Sequence, residues 1–263
     1  KACRDMGITE GHEPMIQLRN QGIVLGEDSE KMSKSRGNVV APDDLVKSYG
    51  TDAVRAYLVF FARWDMGAPW SSSGIDGVQR WLRRVWATFL DGSSPVQQSD
   101  AAIKALRRKV HQTLKSVTRD YENFEFNTIV SALMELMNEL IKFKNQGAWG
   151  SSAWKEATEI YLKMLAPVCP HITEEIWQNL GKPYSIHQQK WPSVDEEAAR
   201  DEEITLVLQI NGKVRDRISM PANLDAEAAK AAALANETVQ RHLDGREPRQ
   251  VIYVPGRLVN IVV

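Results

Sequence analysis

The sequence is short of several things, and each shortage removes a class of function. Its 263 residues contain no run of about eighteen apolar residues, so no membrane-spanning helix and no membrane partner are expected. The first residues, KACRDMGITEGHEP, show neither the apolar core nor the cleavage pattern of a signal peptide. A cytoplasmic location is the expectation. Only two cysteines are present, Cys3 and Cys169, far apart and without CxxC spacing, which argues against a disulfide framework and against a zinc site. His111, His171, His187 and His242 have no second His or Cys at i, i+4 spacing, so no metal-binding residue is expected. The G-x-x-x-x-G-K loop of many nucleotide-binding proteins is also missing.

Net charge is nearly absent too, at −1, but an average over several domains conceals local fields. Between Asp76 and Arg119, nine Lys and Arg face three acids, an excess of six positive charges, while the next eighty residues are acidic. A basic segment inside a neutral chain suggests one face turned to a polyanion.

What is present is helical periodicity. Pro42 suits a first helical position and Gly50 a stop, after which Thr51 is expected to cap an apolar helix, DAVRAYLVFFA. Before them, Ile23, Val24 and Leu25 suggest a short buried strand. In GIDGVQRWLRRVWATFL, residues Ile75, Val78, Leu82, Val85, Trp86 and Phe89 form an apolar stripe, with Arg80, Arg83 and Arg84 pointing away. Four more amphipathic stretches come after it, one opening at Asn127 and one between Pro170 and Gly181, and five consecutive helices imply a bundle. The tryptophans, Trp64 and Trp191 among them, fit core and linker positions better than any specific contact. The period is lost after Gly181, where a linker is expected. It then becomes two: ITLVLQINGKVRDRISMP reads as a hairpin turning at Asn211-Gly212. An Ala-rich helix, a shorter helix and a second strand pair complete a β-β-α-β-β unit.

One stretch has no apolar pattern at all: Glu30-Lys31-Met32-Ser33-Lys34-Ser35-Arg36-Gly37-Asn38. Ammonium groups beside hydroxyls and a glycine are what a mobile loop needs to hold a triphosphate, because the cations offset phosphate charge and glycine lets the backbone approach. The plain alternative is a solvated basic loop. The residues C-terminal to it decide between the two. The run KMSKSRGNVVAPDDLVKSYGTDAVRAYLVFFA resembles the second signature of class I aminoacyl-tRNA synthetases, and FNTIVSALMELMNEL, LAPVCPHITEEIWQNLG, LVLQINGKVRDRISMP and VIYVPGRLVNIVV make the chain similar to the C-terminal part of the bacterial-type leucyl-tRNA synthetases.

The resemblance implies a mainly α chain with three parts. Residues 1–74 would be the end of a Rossmann-type catalytic domain with its KMSKS stem-contact segment, 75–190 a helical anticodon-binding bundle, 191–202 a linker and 203–263 a small α+β domain that binds tRNA. It also implies ATP and Mg²⁺ as cofactors of the full-length ligase, tRNA(Leu) as partner, leucine and ATP reached through the missing catalytic domain, and a monomer. Lys34 would contact ATP phosphate with Lys31 assisting, both in catalytic roles, while Met32, Ser33 and Ser35 shape the ATP-binding loop. Arg80, Arg84, Arg107, Arg108 and Lys115 would lie on tRNA phosphates, against the alternative of solvated helix faces. Lys213 and Arg215, with Arg217, alternate along one strand and so are expected on one face, opposite Val214 and Ile218; tRNA contact competes there with edge-strand protection by charge. A valyl or isoleucyl relative, or a stand-alone RNA-binding module, remain alternatives. The family's first nucleotide signature, a His-x-Gly-His type motif, occurs nowhere in the sequence. The chain by itself is therefore expected to show no leucine-dependent pyrophosphate exchange; detectable exchange by the pure chain would overturn this.

Overall fold

The computed structural model describes residues 1–11, 17–90, 97–201, 203–221 and 224–263, with the side chain of Glu203 left aside; His12 lies outside the described residues. The chain divides into two units, Lys1–Ala199 and Arg200–Val263.

The first unit is helical: α1 (Ala2–Asp5), α2 (Pro42–Tyr49), α3 (Thr51–Phe60), α4 (Gly74–Leu90), α5 (Asp100–Asn123), α6 (Phe126–Phe143), α7 (Ser152–Leu165) and α8 (Pro170–Asn179). Sequence period and burial agree along α4, where Ile75, Val78, Leu82, Val85 and Phe89 enter the core, and along α5, where Leu106, Val110, Leu114 and Val117 do. Trp86 departs from that stripe and is 41% exposed, whereas Trp81, off the stripe, is fully buried because its indole N–H finds the Tyr161 hydroxyl at 3.1 Å. Tyr161 in turn donates to the Leu133 carbonyl at 3.1 Å. The polar ends of two large core residues are thereby satisfied, and their rings are free to fill volume.

Two helix starts differ from expectation. Thr51 is the first helical residue and Gly50 the cap, and α6 opens at Phe126 behind Glu125, so Asn127 is already inside the helix. The strand expected at Ile23–Leu25 does not form. Leu25 alone makes isolated bridges, to Lys31 and Pro69, and Ile23 is exposed, since a strand needs a continuous neighbour for its hydrogen bonds. This backbone is nevertheless held tightly: Gly22 N–H donates to Trp64 O at 2.7 Å, Leu25 N–H to Ala68 O at 3.1 Å and Trp70 N–H to Leu25 O at 2.9 Å. A Cβ on Gly22 would lie 2.0 Å from the Gly67 nitrogen, and one on Gly67, at φ 67°, would lie 2.2 Å from the Ile23 oxygen. The two segments touch only because both positions lack a side chain.

Helix α3 joins this region to the bundle. From one face of α3, Tyr57 donates its hydroxyl hydrogen to Ser71 O at 2.8 Å. From another, Arg55 donates to Val168 O and Pro167 O, both at 3.0 Å, at the end of α7. The buried Asp52 carboxylate receives the Ile172 N–H at 2.7 Å, the His171 N–H at 3.4 Å and the His171 ring Nδ1 at 2.7 Å. Helix α8 has no capping side chain of its own, its N-cap being Cys169, so Asp52 supplies the cap from a different helix.

The stretch expected as a linker, 191–202, is fastened to the first unit as far as Ala199. The Trp191 indole donates to Thr118 Oγ1 at 2.9 Å, the Asp195 N–H to His111 Nδ1 at 3.1 Å and the Gln112 amide to Ala199 O at 3.0 Å. These are side-chain bonds to α5, which is why no period betrays them.

The second unit contains β1 (Glu203–Ile210), β2 (Lys213–Pro221), α9 (Ala226–Ala235), α10 (Glu237–Leu243), β3 (Gln250–Val254) and β4 (Leu258–Val262). Its sheet has the order β2-β1-β4-β3, with β1 and β4 parallel and the outer pairs antiparallel. Leu206, Leu208, Ile210, Val259 and Ile261 from the sheet bury against Ala229, Ala233, Val239 and Leu243 of the two helices. No described helix of either unit is long and apolar enough to cross a membrane.

Replacing Asp52 by alanine leaves two part-buried N–H groups at the start of α8 without their acceptor. Urea unfolding followed by helical circular dichroism is expected to show a loss of about 1–3 kcal/mol; a change within error of zero would mean that α8 is capped by other means.

Candidate functional site

The charged loop rests on a frame built from the residues below it. Leu25 pairs with Lys31, Gly26 N–H donates to Glu30 O at 2.8 Å, and the Glu27 carboxylate accepts the Ser72 N–H at 3.1 Å, tying the loop's base to the segment that Tyr57 holds. Asn38 braces it from inside. Its carbonyl oxygen accepts the Ser33 N–H at 2.9 Å, and its amide donates to the Asp28 carboxylate at 3.0 and 3.2 Å. Bonds from the Glu30 N–H and from Asn38 hold the Asp28 carboxyl below its ordinary value.

At the tip, Lys34–Arg36 form one 3₁₀ turn. Ser33 caps it, accepting the Arg36 N–H at 3.3 Å, and its hydroxyl also lies 2.8 Å from that of Ser35. Gly37, at φ 70°, ends it. Met32 is half-buried against the core of the first unit. These three side chains therefore shape the loop by contacts within the protein. Arg36 is held by Glu30 at 3.0 Å. The side chains of Lys31 and Lys34 are exposed and make no ion pair or hydrogen bond among the described residues. The loop holds its arginine and leaves the ammonium groups of its two lysines without an ion pair among the described residues.

The cations expected on tRNA separate in the same way. Arg80 is exposed without a partner among the described residues, and so is the neighbouring Arg83, which spacing alone does not set apart. Arg84 donates to the Asn138 side chain at 3.0 Å. Arg108 is half-buried and engaged within the protein. Lys115 is exposed but pairs with Glu196 at 2.8 Å. Arg107 departs furthest from expectation: its guanidinium meets Glu156 at 2.7 Å and Asp195 at 3.1 Å, and Glu156 also faces the buried His111 at 3.3 Å. A guanidinium held by two carboxylates has little charge left for a phosphate. Its work is to fasten the 191–199 segment to α5 and α7.

In the second unit the expected single face of Lys213, Arg215 and Arg217 is not formed. The β1–β2 register shifts between Leu208 and Gln209: Leu208 pairs with Asp216 but Gln209 with Val214, leaving Arg215 unpaired at the irregularity. One extra residue reverses the alternation beyond it. Val214, expected among inward residues, thus falls on the side of Arg217 and is 53% exposed, while Lys213 pairs with the buried Ile210. All three cations are exposed. Asp216, which carries no signal in the sequence, accepts from the Asn236 amide at 2.9 Å between α9 and α10, and this bond with its neighbours holds its carboxyl below the ordinary value.

Among the described residues no group of three His, Cys, Asp or Glu side chains could hold a metal ion. Both cysteines are free thiols; burial pushes that of Cys169 well up, so it is inert at neutral pH.

Comparison with known proteins gives two family matches and a set of relatives. Residues 104–230 match the family described as anticodon-binding domain of tRNA ligase, and residues 6–66 match tRNA synthetases class I (I, L, M and V). A leucine–tRNA ligase of Dehalococcoides mccartyi is 52% identical and one of Deinococcus radiodurans 50% identical, each over 100% of this chain and 32% of its own length. The chain thus spans about a third of the relatives it matches. A leucyl-tRNA synthetase of Agrobacterium radiobacter K84, solved in a ternary complex with tRNA and LeuAMS, superposes with a TM-score of 0.86 at 31% identity, covering 100% of this chain and 35% of that one.

The Arg107 network carries a pH signature. The Arg107 hydrogen bond holds the Glu156 carboxyl below its ordinary 4.5, and the Ala198 N–H and Arg107 hold that of Asp195 below 3.8. A carboxylate whose folded pKa is depressed contributes stability above its unfolded pKa and loses it as pH falls through the folded one. Stability of the first unit is therefore expected to decline from about pH 4.5 downward, and Glu156→Gln to flatten part of that decline in acid melts; an unchanged acid profile would remove Glu156 from the network.

Proposed function

We propose that this chain, a member of the leucyl-tRNA synthetase family corresponding to its C-terminal portion, supplies the phosphate-binding loop and tRNA-binding surfaces of a ligase that joins leucine to tRNA(Leu) with ATP. The observation that carries the reading is the pair of lysines, Lys31 and Lys34, whose side chains have no partner among the described residues, on a loop whose Arg36, Ser33, Ser35 and Asn38 side chains are all engaged within the loop. A loop braced in this way presents ammonium groups without first having to break internal ion pairs, the arrangement wanted where charge develops on a phosphate during reaction.

In this reading Lys34 sits on the triphosphate as an oxygen of the leucine carboxylate attacks the α-phosphate and pyrophosphate leaves, with Lys31 beside it. Neither lysine transfers a proton. Both offset negative charge, and Asn38 and Ser33 keep them in place. Mg²⁺ would arrive with the nucleotide, because the described residues offer no set of ligands for it. The remaining nucleotide pocket would come from a Rossmann-type part of the enzyme packed against the first unit. The apolar side chains of Met6, Ile8, Leu18 and Ile23, each more than half exposed, support such a contact.

For the tRNA, the unpartnered Arg80 and Arg83 on α4 and the exposed Lys213, Arg215 and Arg217 are the favoured phosphate contacts, ahead of Arg84, Arg108 and Lys115, which have partners, and of Arg107. Such contacts give affinity that falls steeply with salt. The helical bundle is the surface along which the tRNA would lie.

A charge that acts mainly in the transition state affects turnover more than ground-state binding. In the complete enzyme Lys34→Ala is expected to reduce leucine-dependent pyrophosphate exchange by roughly a hundredfold or more, with a smaller change in KM for ATP. Arg36→Ala, which removes a cation already held by Glu30, should have a much weaker effect. Near-normal exchange by Lys34→Ala would refute the reading of the loop.

A further inference from the structure

We propose that a cleft at the turn between α5 and α6 receives one unpaired nucleobase of the bound tRNA, stacked on Phe124 and hydrogen-bonded by Trp64 and neighbouring carboxamides. The inference rests on the tRNA-binding reading of this chain and assigns it a specific subsite.

The cleft has a volume of about 480 Å³, and Arg19, Asn20, Trp64, Asn123, Phe124 and Asn127 line it. Its walls are flat. The Trp64 and Phe124 rings stand 6.3 Å apart at 66°, both wedged against Phe126, and the Arg19 guanidinium lies 4.3 Å from the Phe124 ring centre. Phe124 occupies the left-handed conformation that ends α5, at φ 63°, where a glycine or asparagine would sit with less strain. An aromatic ring thus stands at a position the backbone does not favour for it.

The cleft also holds unused hydrogen-bonding groups. The Trp64 Nε1 is shielded from solvent and has no partner among the described residues, whereas Trp70, Trp81, Trp177 and Trp191 each place that atom on an oxygen. The side-chain amides of Asn20, Asn123 and Asn127 likewise make no hydrogen bond among the described residues. Aromatic faces, a guanidinium and unpaired amides that can both donate and accept are the means by which proteins hold an extruded base by its face and its edge.

The charges on the rim decide between sources of that base. Asp65 and Glu125 line the cleft and Asp65 already holds Arg63, so no open cation is set there for a phosphate except through Arg19. A free nucleotide would bring its doubly charged phosphate to these carboxylates. A base swung out from RNA leaves its phosphates outside.

The test uses the whole chain with its tryptophan indoles labelled with ¹⁵N, the Trp64 Nε1–H resonance being assigned by its disappearance in Trp64→Phe. It is titrated with a tRNA(Leu) transcript, with a fully paired RNA duplex and with the four nucleoside monophosphates. The expected result is a downfield movement of the Trp64 resonance with tRNA, none with duplex and little with monophosphates at equal concentration. Phe124→Leu should weaken tRNA binding about tenfold at fixed salt; if that variant fails to fold, the resonance of the unsubstituted chain still decides. Binding of tRNA with the Trp64 resonance unmoved overturns the subsite and leaves the tRNA reading standing. Monophosphates that move it as readily as tRNA overturn the assignment to RNA. Absence of any tRNA binding overturns the underlying reading and the subsite together.

Discussion

The first unit depends on two charged side chains of one short helix. Arg55 takes the last carbonyls after α7 and Asp52 takes the first N–H groups of α8, so α3 holds both sides of the reversal between those helices. Exposed helix ends carry opposite partial charges, and a cation on the carbonyl end with an anion on the N–H end satisfies both. The partners lie 112 to 120 residues away in sequence. Without this clamp the loop-bearing segment would be an appendage of the bundle. With it, the segment and bundle form one unit, and the position of the two open lysines is fixed by the same helix that organises the bundle's end.

Much of this architecture is legible from the amino-acid order. The stripes of α4 and α5 show because burial on a helix repeats every three or four residues, and the tail's strands show because their period is two. The loop is conspicuous for the opposite reason, having charges and hydroxyls where a pattern should be. The features hidden from the amino-acid order have no period. The 191–199 segment is fixed by His111, Gln112 and Thr118, single bonds to residues more than seventy positions earlier. Arg107 reads as one more surface cation in the sequence, yet Glu156 and Asp195, 49 and 88 residues on, surround it. Pairings of this kind are decided by tertiary structure alone. The same is true of Trp64, which spacing does not distinguish from a core tryptophan; its unpartnered nitrogen is visible only once the neighbours are in place.

Charge counting along the sequence locates the basic region and overstates how much of it is available. Of the cations between Arg80 and Arg119, Arg107, Lys109, Lys115 and Arg119 are tied to carboxylates, while Arg80 and Arg83 stand clear among the described residues. The effective positive surface is narrower than the composition implies and sits on the α4 side. For binding a phosphate backbone, the number of cations matters less than the number that need not leave another partner first.

The irregularity at Arg215 has a geometric meaning of its own. A regular strand aims alternate side chains into one plane and so suits a straight, flat partner. Resetting the alternation midway sends the charges flanking the reset in divergent directions, with Lys213 opposite Ile210 and Arg217 opposite Val207. Charges sent to opposite faces cannot both meet one level partner, and only a surface that curves around the strand reaches both at once.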